Sequence, residues 1–323
     1  MMALGDLLAL GAAACWALGS VMSVTPSRHL GAIAFTRWRM AMVAVMLWTV
    51  VLATGSWRGF AFGDLGALAF SGLIGIFIGD TALFSAVNRL GPRRAGVLFA
   101  THAAMSAALG FALLGERMSL QAFVGAVLTL CGVMLAIVLG RHKDETHAWE
   151  SDQGPLAIGV ALALLAALCQ ALGSLLAKPV MAAGIDPVLA SAVRVTVATS
   201  AHGVFLLAGF RAARATQAPT LRVLGQTAFN GLIAMGIGMT LVLLALQHGD
   251  IGMVAILSSV SPIMVLPLLW FQLRRAPAPG AWLGAVLLSL ASVASKTISL
   301  GAIFPIGIVT SLIGVPFFIW MVL

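Results

Sequence analysis

Asp80 is the residue of this sequence whose position most strongly indicates chemistry, because it lies deep within an apolar segment long enough to cross a bilayer. A charged side chain at that depth is costly unless it is paired or hydrated, so it is a candidate for a functional role. A carboxylate there could take up a proton or bind a cationic group of a substrate. A hydrogen bond to a neighbouring helix, or a position near the membrane surface, would account for Asp80 equally well.

Phe84 and Asn88 follow Asp80 at helical spacing, one and two turns further along, so they would share its face of a helix. Both are therefore candidates for the same binding site. Gln247 lines up with Asn88 in the internal repeat described below, and it joins the set of candidates for that reason.

Arginines form the next group of candidates. Arg37 and Arg39 flank Trp38 early in the second apolar segment, and Arg194 lies early in the seventh. Arg37 and Arg194 occupy approximately equivalent repeat positions. These arginines could form a carboxylate-binding site or an ion pair with Asp80. Long side chains that extend to the membrane surface, with Trp38 as an interfacial anchor, fit the same pattern.

His102 lies within the fourth apolar segment, next to Thr101 and one turn before Ser106. Histidine titrates near neutral pH, so His102 could relay protons during coupled transport. It could instead form a hydrogen bond between helices. His202 is a weaker candidate of the same kind.

Trp16 and Ser20 in the first apolar segment correspond to Gln170 and Ser174 in the sixth. An aromatic ring and an amide that face one cavity could stack on and orient a small organic substrate. The alternative for Trp16 is a position facing lipid.

The composition explains which elements must position these residues. Of the 323 residues, 61% are hydrophobic and 9% are charged, with a mean hydropathy of +1.08. This excludes a soluble globular domain, whose surface needs far more polar residues. The net charge of +8 comes from Lys and Arg in short loops, where such residues set topology, so nucleic-acid binding is not expected.

The sequence predicts ten membrane-spanning helices, joined by short loops with turn residues such as Thr25-Pro26. The hydrophilic segment 141–153 is the natural linker between two halves. Pro262 and Pro267 should kink the ninth helix and free carbonyl groups that can face a cavity. The predicted helices cover 5–24, 31–53, 64–87, 95–114, 120–139, 155–177, 188–209, 226–246, 252–272 and 281–298.

The two halves repeat each other in sequence. Cys15-Trp-Ala-Leu-Gly-Ser20 recurs as Cys169-Gln-Ala-Leu-Gly-Ser174, and Gly125-Ala-Val-Leu128 recurs as Gly284-Ala-Val-Leu287. Between these pairs, Thr81 lines up with Thr240. Five helices per repeat place the second copy in the opposite sense across the membrane. The expected fold is therefore an all-α integral membrane bundle of two inverted five-helix repeats, 1–140 and 154–298.

Several of these segments resemble the EamA domain of the drug/metabolite transporter superfamily. The resemblance covers roughly residues 5–295 and is carried by Gly79-Asp80-Thr81, Arg94-Ala95, Gly115-Glu116-Arg117 and Gln121-Ala-Phe-Val-Gly125. It implies ten helices around a central cavity, lined mainly by helices 1, 3, 4, 6, 8 and 9, that opens to alternate sides. It implies a secondary transporter of small metabolites, with export of amino acids or related compounds as the expected activity.

The chain departs from this family pattern in three places. The proline usual on the fourth helix is Ala103, and the Gly-Glu usual after the ninth helix is Arg274-Arg275. Residues 299–323 form an extra apolar segment, predicted to be an eleventh helix, that resembles the last helix of iron-siderophore and cobalamin ABC permeases. A permease subunit of an ABC importer, or a membrane scaffold without transport activity, is therefore kept as an alternative.

No Walker loop, HExxH or Cys-x-x-Cys motif occurs in the sequence. We therefore expect no ATP hydrolysis, no metal site, no enzyme activity and no cofactor. The expected partners are a small-molecule substrate, protons as a candidate co-substrate, and membrane lipid, with a homodimer left open. The expected location is the bacterial inner membrane.

The orientation of the chain in the membrane stays open. Most Lys and Arg residues fall in loops on one side, and the positive-inside rule would put that side in the cytoplasm and the N-terminus outside. The family resemblance implies the opposite orientation.

Overall fold

The computed structural model describes residues 4–59, 62–115 and 155–258, together with Ser261, Met264 and Leu268. These residues are mainly helical, and no β-strand occurs among them. Short 3₁₀ turns lie at Ser56–Gly59, Phe62–Asp64 and Arg211–Ala213. The helices are α1 (Leu4–Leu30), α2 (Ala32–Thr54), α3 (Leu65–Leu90), α4 (Pro92–Phe99), α5 (His102–Leu114), α6 (Leu156–Ala182), α7 (Pro187–Leu207), α8 (Leu221–His248) and α9 (Ile251–Ser258).

Six of these helices, α1, α2, α3, α6, α7 and α8, are long and apolar enough to cross a membrane. They confirm the predicted class of an all-α, multi-pass membrane protein. The count of ten helices stays a prediction, because 120–139, 281–298 and the tail 299–323 lie outside the described residues. The linker 141–153, Glu116, Pro262 and Pro267 lie outside them too.

Helix α1 does not end at the turn that Thr25-Pro26 indicates, but continues to Leu30 with Pro26 inside it. Proline removes one backbone hydrogen bond and clashes with the preceding turn, which usually breaks a helix. In apolar surroundings, however, backbone groups released from a helix find no water, so a continued helix is favoured. Pro179 lies inside α6 in the same way.

Helices of the two repeats pack closely against each other at glycines. The third helix of each repeat packs on the first helix of the other, so α3 packs on α6 and α8 packs on α1. At these crossings, a Cβ on Gly173 would lie 2.9 Å from Cα of Gly75, and a Cβ on Gly19 would lie 2.5 Å from Cβ of Ala234. Gly19 and Gly173 belong to the repeated Ala-Leu-Gly-Ser motif, which is therefore a motif for close helix packing.

Helices α3 and α8 each contain a π-helical segment, at Gly72–Ile78 and Gly231–Met239. Both segments end shortly before the aligned residues Thr81 and Thr240. A π-helical turn is wider than an α-helical one, rotates the residues that follow it, and often occurs at functional sites. The segment in α3 ends at Ile78, two residues before Asp80.

The fourth predicted helix is divided into α4 and α5, with a break at Ala100 and Thr101. The hydroxyl of Thr101 donates to the carbonyl of Leu98, 2.7 Å away, at this break. His102 begins α5 directly after the break. The fourth predicted helix is thus interrupted next to Ala103, the position at which the family usually has a helix-breaking proline.

Candidate functional site

A pocket of about 790 Å³, a volume that includes its open mouth, lies between helices of both repeats. Its wall is mostly apolar, and one buried ion pair lies in it. Residues from α1, α2, α3, α4, α5, α6, α8 and α9 contribute. The lining residues are Trp16, Gly19, Ser20, Ser23, Arg39, Asp80, Leu83, Phe84, Val87, Gly96, Phe99, Ala100, His102, Gln170, Ala234, Met235, Met239, Ser258 and Ser261.

The ion pair joins Arg39 of α2 to Asp80 of α3, through Nη2 of the guanidinium and Oδ2 of the carboxylate. The side chains are 4% and 13% exposed, so both charges are shielded from water. Nη1 of Arg39 also donates a long hydrogen bond of 3.4 Å to Oδ1 of Asn230 in α8. Asn230 in turn donates to the carbonyl of Gly19, 2.6 Å away. The pair therefore connects α2, α3, α8 and α1.

Two aromatic rings support the guanidinium of Arg39. Its Cζ lies 4.5 Å from the ring centre of Phe84 and 5.6 Å from that of Phe35. The two rings meet edge to face, with centres 4.9 Å apart. Such contacts stabilise a cation that has left water. Phe84, predicted as a site residue, thus lies in the pocket wall and contacts the cation beside Asp80.

Arg194 of α7 is a second buried cation near the same carboxylate. It is 1% exposed, and its Nε and Nη1 have no hydrogen-bond partner. Its Nη2 lies 3.3 Å from where a Cβ on Gly75 would be, which places the side chain against the π-helical segment of α3. Arg194 and Asp80 attract each other electrostatically. Arg194 does not line the pocket.

His102, Trp16 and Phe99 form an aromatic cluster in the pocket wall. The ring centre of His102 lies 5.1 Å from that of Phe99 and 6.3 Å from that of Trp16. The indole nitrogen of Trp16 donates to the carbonyl of Ala234, 3.1 Å away, so Trp16 faces the protein interior rather than lipid. His102 is 2% exposed, and its Nδ1 has no hydrogen-bond partner.

The other candidates from the repeated motif that contains Trp16 lie partly in the pocket wall and partly in the packed interior. Ser20 and Gln170 line the pocket. Ser174 is buried but does not line it. Because Gly173 is needed where α6 crosses α3, its neighbour Ser174 lies among packed helices.

Asn88 and Gln247 lie outside the pocket and join helix ends instead. Nδ2 of Asn88 donates to the carbonyl of Ser27, 3.2 Å away, and its Oδ1 accepts from the Ser27 hydroxyl at 3.0 Å. Nε2 of Gln247 donates to the carbonyl of Ile185 at 2.7 Å. Val87 lines the pocket, but the Asn88 side chain one residue later is directed to Ser27 of α1, which explains the difference from the expected placement.

Arg37 also lies outside the pocket, and its Nη1 donates to the carbonyl of Ala213. Two residues along a helix turn a side chain by about 200°. Arg37 and Arg39 therefore face nearly opposite sides of α2. The structural counterpart of Arg194 is Arg39, since Gly72 of α3 contacts the backbone of Arg194 and Gly231 of α8 contacts Arg39.

His202 lies away from the pocket against Phe77, with ring centres 4.7 Å apart. It is fully buried, and neither ring nitrogen has a hydrogen-bond partner. Among the described residues, no group of three or more His, Cys, Asp or Glu side chains could hold a metal ion.

The sequence names Arg39 beside Arg37 without choosing between them, and it did not point to Phe99 and Met239 in the pocket wall or to Asn230 behind Arg39. The buried positions of α2 run through Phe35, Arg39 and Val43 at intervals of four, but apolar residues on every face of this helix leave no sequence signal for that stripe. Asn230 is visible as an amide within an apolar segment. Phe99 and Met239 are ordinary apolar residues in apolar helices, so no sequence signal separates them from lipid-facing neighbours.

Comparisons with known proteins bear on the class of this chain. Residues 3–138 and 157–297 each match the sequence profile of the EamA-like transporter family. A search of curated protein sequences gives no significant match. A solved structure described only as "Crystal structure of protein" superposes with a TM-score of 0.66 at 17% identity, over 91% of this chain and 98% of that chain. The two profile matches confirm the internal repeat, and the superposition supports the fold.

Proposed function

Because the chain belongs to the EamA-like transporter family, we propose that it is a secondary transporter that moves a small metabolite through the pocket between its repeats. The observation that carries the proposal is the buried Arg39–Asp80 ion pair in the wall of that pocket. Ionic side chains in the interior of a membrane protein are costly, and they mark pathways for substrates and ions. The metabolite is an amino acid or a related compound, and export across the bacterial inner membrane is the direction we propose.

The pocket has features suited to such a cargo. Apolar side chains, among them Leu83 and Met235, would hold a hydrocarbon body, and the hydroxyl of Ser20 and the amide of Gln170 could orient polar groups. The third helix of each repeat crosses the first helix of the other at glycines. Smooth contacts of this kind allow the repeats to rock against each other, and we propose that this motion opens the pocket to alternate sides.

The purified protein in liposomes tests this proposal. Vesicles loaded with a panel of unlabelled metabolites should accumulate the labelled form of at least one of them by exchange, without ATP. Empty liposomes and liposomes with Asp80→Asn protein serve as controls. Correctly folded protein that moves no member of a broad panel would contradict transport and favour a scaffold role.

We further propose that His102 carries the proton in coupled transport, since it lies in the wall with an unpartnered Nδ1. Among the residues that the structure describes, the charged groups of that wall are Asp80 and Arg39, which form an ion pair. In His102→Gln protein, we expect uptake to lose its response to an imposed pH gradient. His202→Gln, another buried histidine that lies outside the pocket, should keep the response. Equal responses of the two variants would rule out this role for His102.

A further inference from the structure

The buried charges of the described residues do not balance. Three charged side chains are buried there, Arg39 at 3%, Arg194 at 1% and Asp80 at 9% exposure. Two cations therefore share one carboxylate. An uncompensated charge is strongly unfavourable in the interior of a membrane protein, so it persists only where it has a use.

The unsatisfied donors lie on the two arginines. Nε of Arg39 and both Nε and Nη1 of Arg194 are buried without a hydrogen-bond partner. Each guanidinium can donate five hydrogen bonds, and two of its nitrogens together suit a carboxylate. Only Arg39 lies in the pocket wall, so a bound molecule would meet this guanidinium first.

We propose that the substrate is an organic monoanion, a carboxylate with an apolar body and no amino group, that binds Arg39 in place of Asp80. Arg194 would keep Asp80 neutralised after that exchange. Two arginines, one aspartate and one monoanion have no net charge. The inference rests on the proposed transport function and, among amino acids and related compounds, assigns the substrate to the related carboxylates without an amino group.

A zwitterion fits this arrangement less well than a monoanion. Its carboxylate could bind Arg39, but its ammonium group would restore the excess positive charge that the carboxylate neutralises. A neutral molecule would leave the excess unchanged. The apolar side chains of Leu83, Phe99 and Met239 suit the hydrocarbon body. Arg194 would keep Asp80 neutralised, so an ammonium group would meet uncharged acceptors such as Ser20 and Gln170.

Three compounds of one carbon skeleton separate these classes, namely 4-methyl-2-oxopentanoate as the anion, leucine as the zwitterion and 4-methylpentanamide as the neutral form. Binding to the purified protein in detergent would be measured by calorimetry. We expect the anion to bind at least about tenfold more tightly than leucine or the amide, which corresponds to about 1.4 kcal/mol.

Variants identify the origin of the preference. Arg194→Gln removes the excess charge. The dissociation constants of the anion and of leucine should then differ by no more than about twofold, which is well below about 1 kcal/mol of binding free energy. Arg194→Lys keeps the charge and should keep the preference. Arg37→Gln, which changes an arginine outside the pocket, should bind like the unmodified protein. Size-exclusion profiles would verify that each variant is folded.

The outcomes distinguish this inference from the transport function. If leucine binds more tightly than the oxo acid, and is exchanged in liposomes, the inference is wrong and transport stands. If Arg194→Gln protein still prefers the anion to leucine, the inference is also wrong and transport stands. If none of the three compounds binds while liposomes exchange other, uncharged or cationic metabolites, the inference is again wrong. If neither binding nor exchange of any metabolite occurs, the proposed function fails with it.

Discussion

Asp80→Asn is expected to abolish transport and to lower the free energy of unfolding by about 3–5 kcal/mol, the usual cost of removing one partner of a buried ion pair. Asparagine has nearly the size of aspartate but no charge. Arg39 and Arg194 would then be buried without a counter-ion among the described residues. Denaturation of the purified protein by SDS would measure the loss of stability, and exchange in liposomes would measure transport.

Two further substitutions test whether charge is the cause. Arg39→Gln leaves one cation and one carboxylate, so its loss of stability should be smaller than that of Asp80→Asn. Arg194→Gln leaves the Arg39–Asp80 ion pair intact and removes an unpaired cation. Its free energy of unfolding should therefore be unchanged or higher. If Arg194→Gln destabilised the protein as much as Asp80→Asn, charge balance would not explain the site.

The class of the protein and its repeat could be predicted because both depend on features that do not need tertiary structure. Apolar length alone indicates membrane-spanning helices. The repeat is visible because Gly19 and Gly173 occupy tight crossings, where a larger residue would not fit, so both copies of the motif carry the same small residue. Asp80 could be predicted for a similar reason, since it is an isolated acid in an apolar segment.

The choice between Arg37 and Arg39 could not be made from the sequence. In a soluble helix, the polar residues would have shown which face was buried. In α2, apolar residues occur on every face, because lipid and protein interior both favour them, so the buried stripe through Arg39 is hidden. Asn88 was misplaced for a related reason, because helical spacing places it near the face of Asp80 but does not tell whether its side chain turns into the pocket or towards Ser27 of α1.

Gly72→Ala is expected to lower the free energy of unfolding by about 1–3 kcal/mol, the usual range for overpacking, and to slow transport strongly. A Cβ at Gly72 would lie 2.4 Å from the carbonyl oxygen of Arg194 and 2.8 Å from its Cα. Both are backbone atoms that cannot rotate away, so α3 and α7 would have to separate. Arg194 would then move relative to Asp80. SDS denaturation and exchange in liposomes would measure the two effects.

Two other glycines give matched comparisons. Gly66 lies in the same helix, and a Cβ there would have no neighbour within 4 Å. Gly66→Ala should therefore be neutral or stabilise the protein by up to about 1 kcal/mol, since alanine favours helices. Gly231→Ala, at the equivalent position of α8, would first meet side-chain atoms of Val43 and Arg39 rather than backbone atoms, so its effect should be intermediate. Similar stabilities for Gly72→Ala and Gly66→Ala would show that α3 and α7 do not need this close contact.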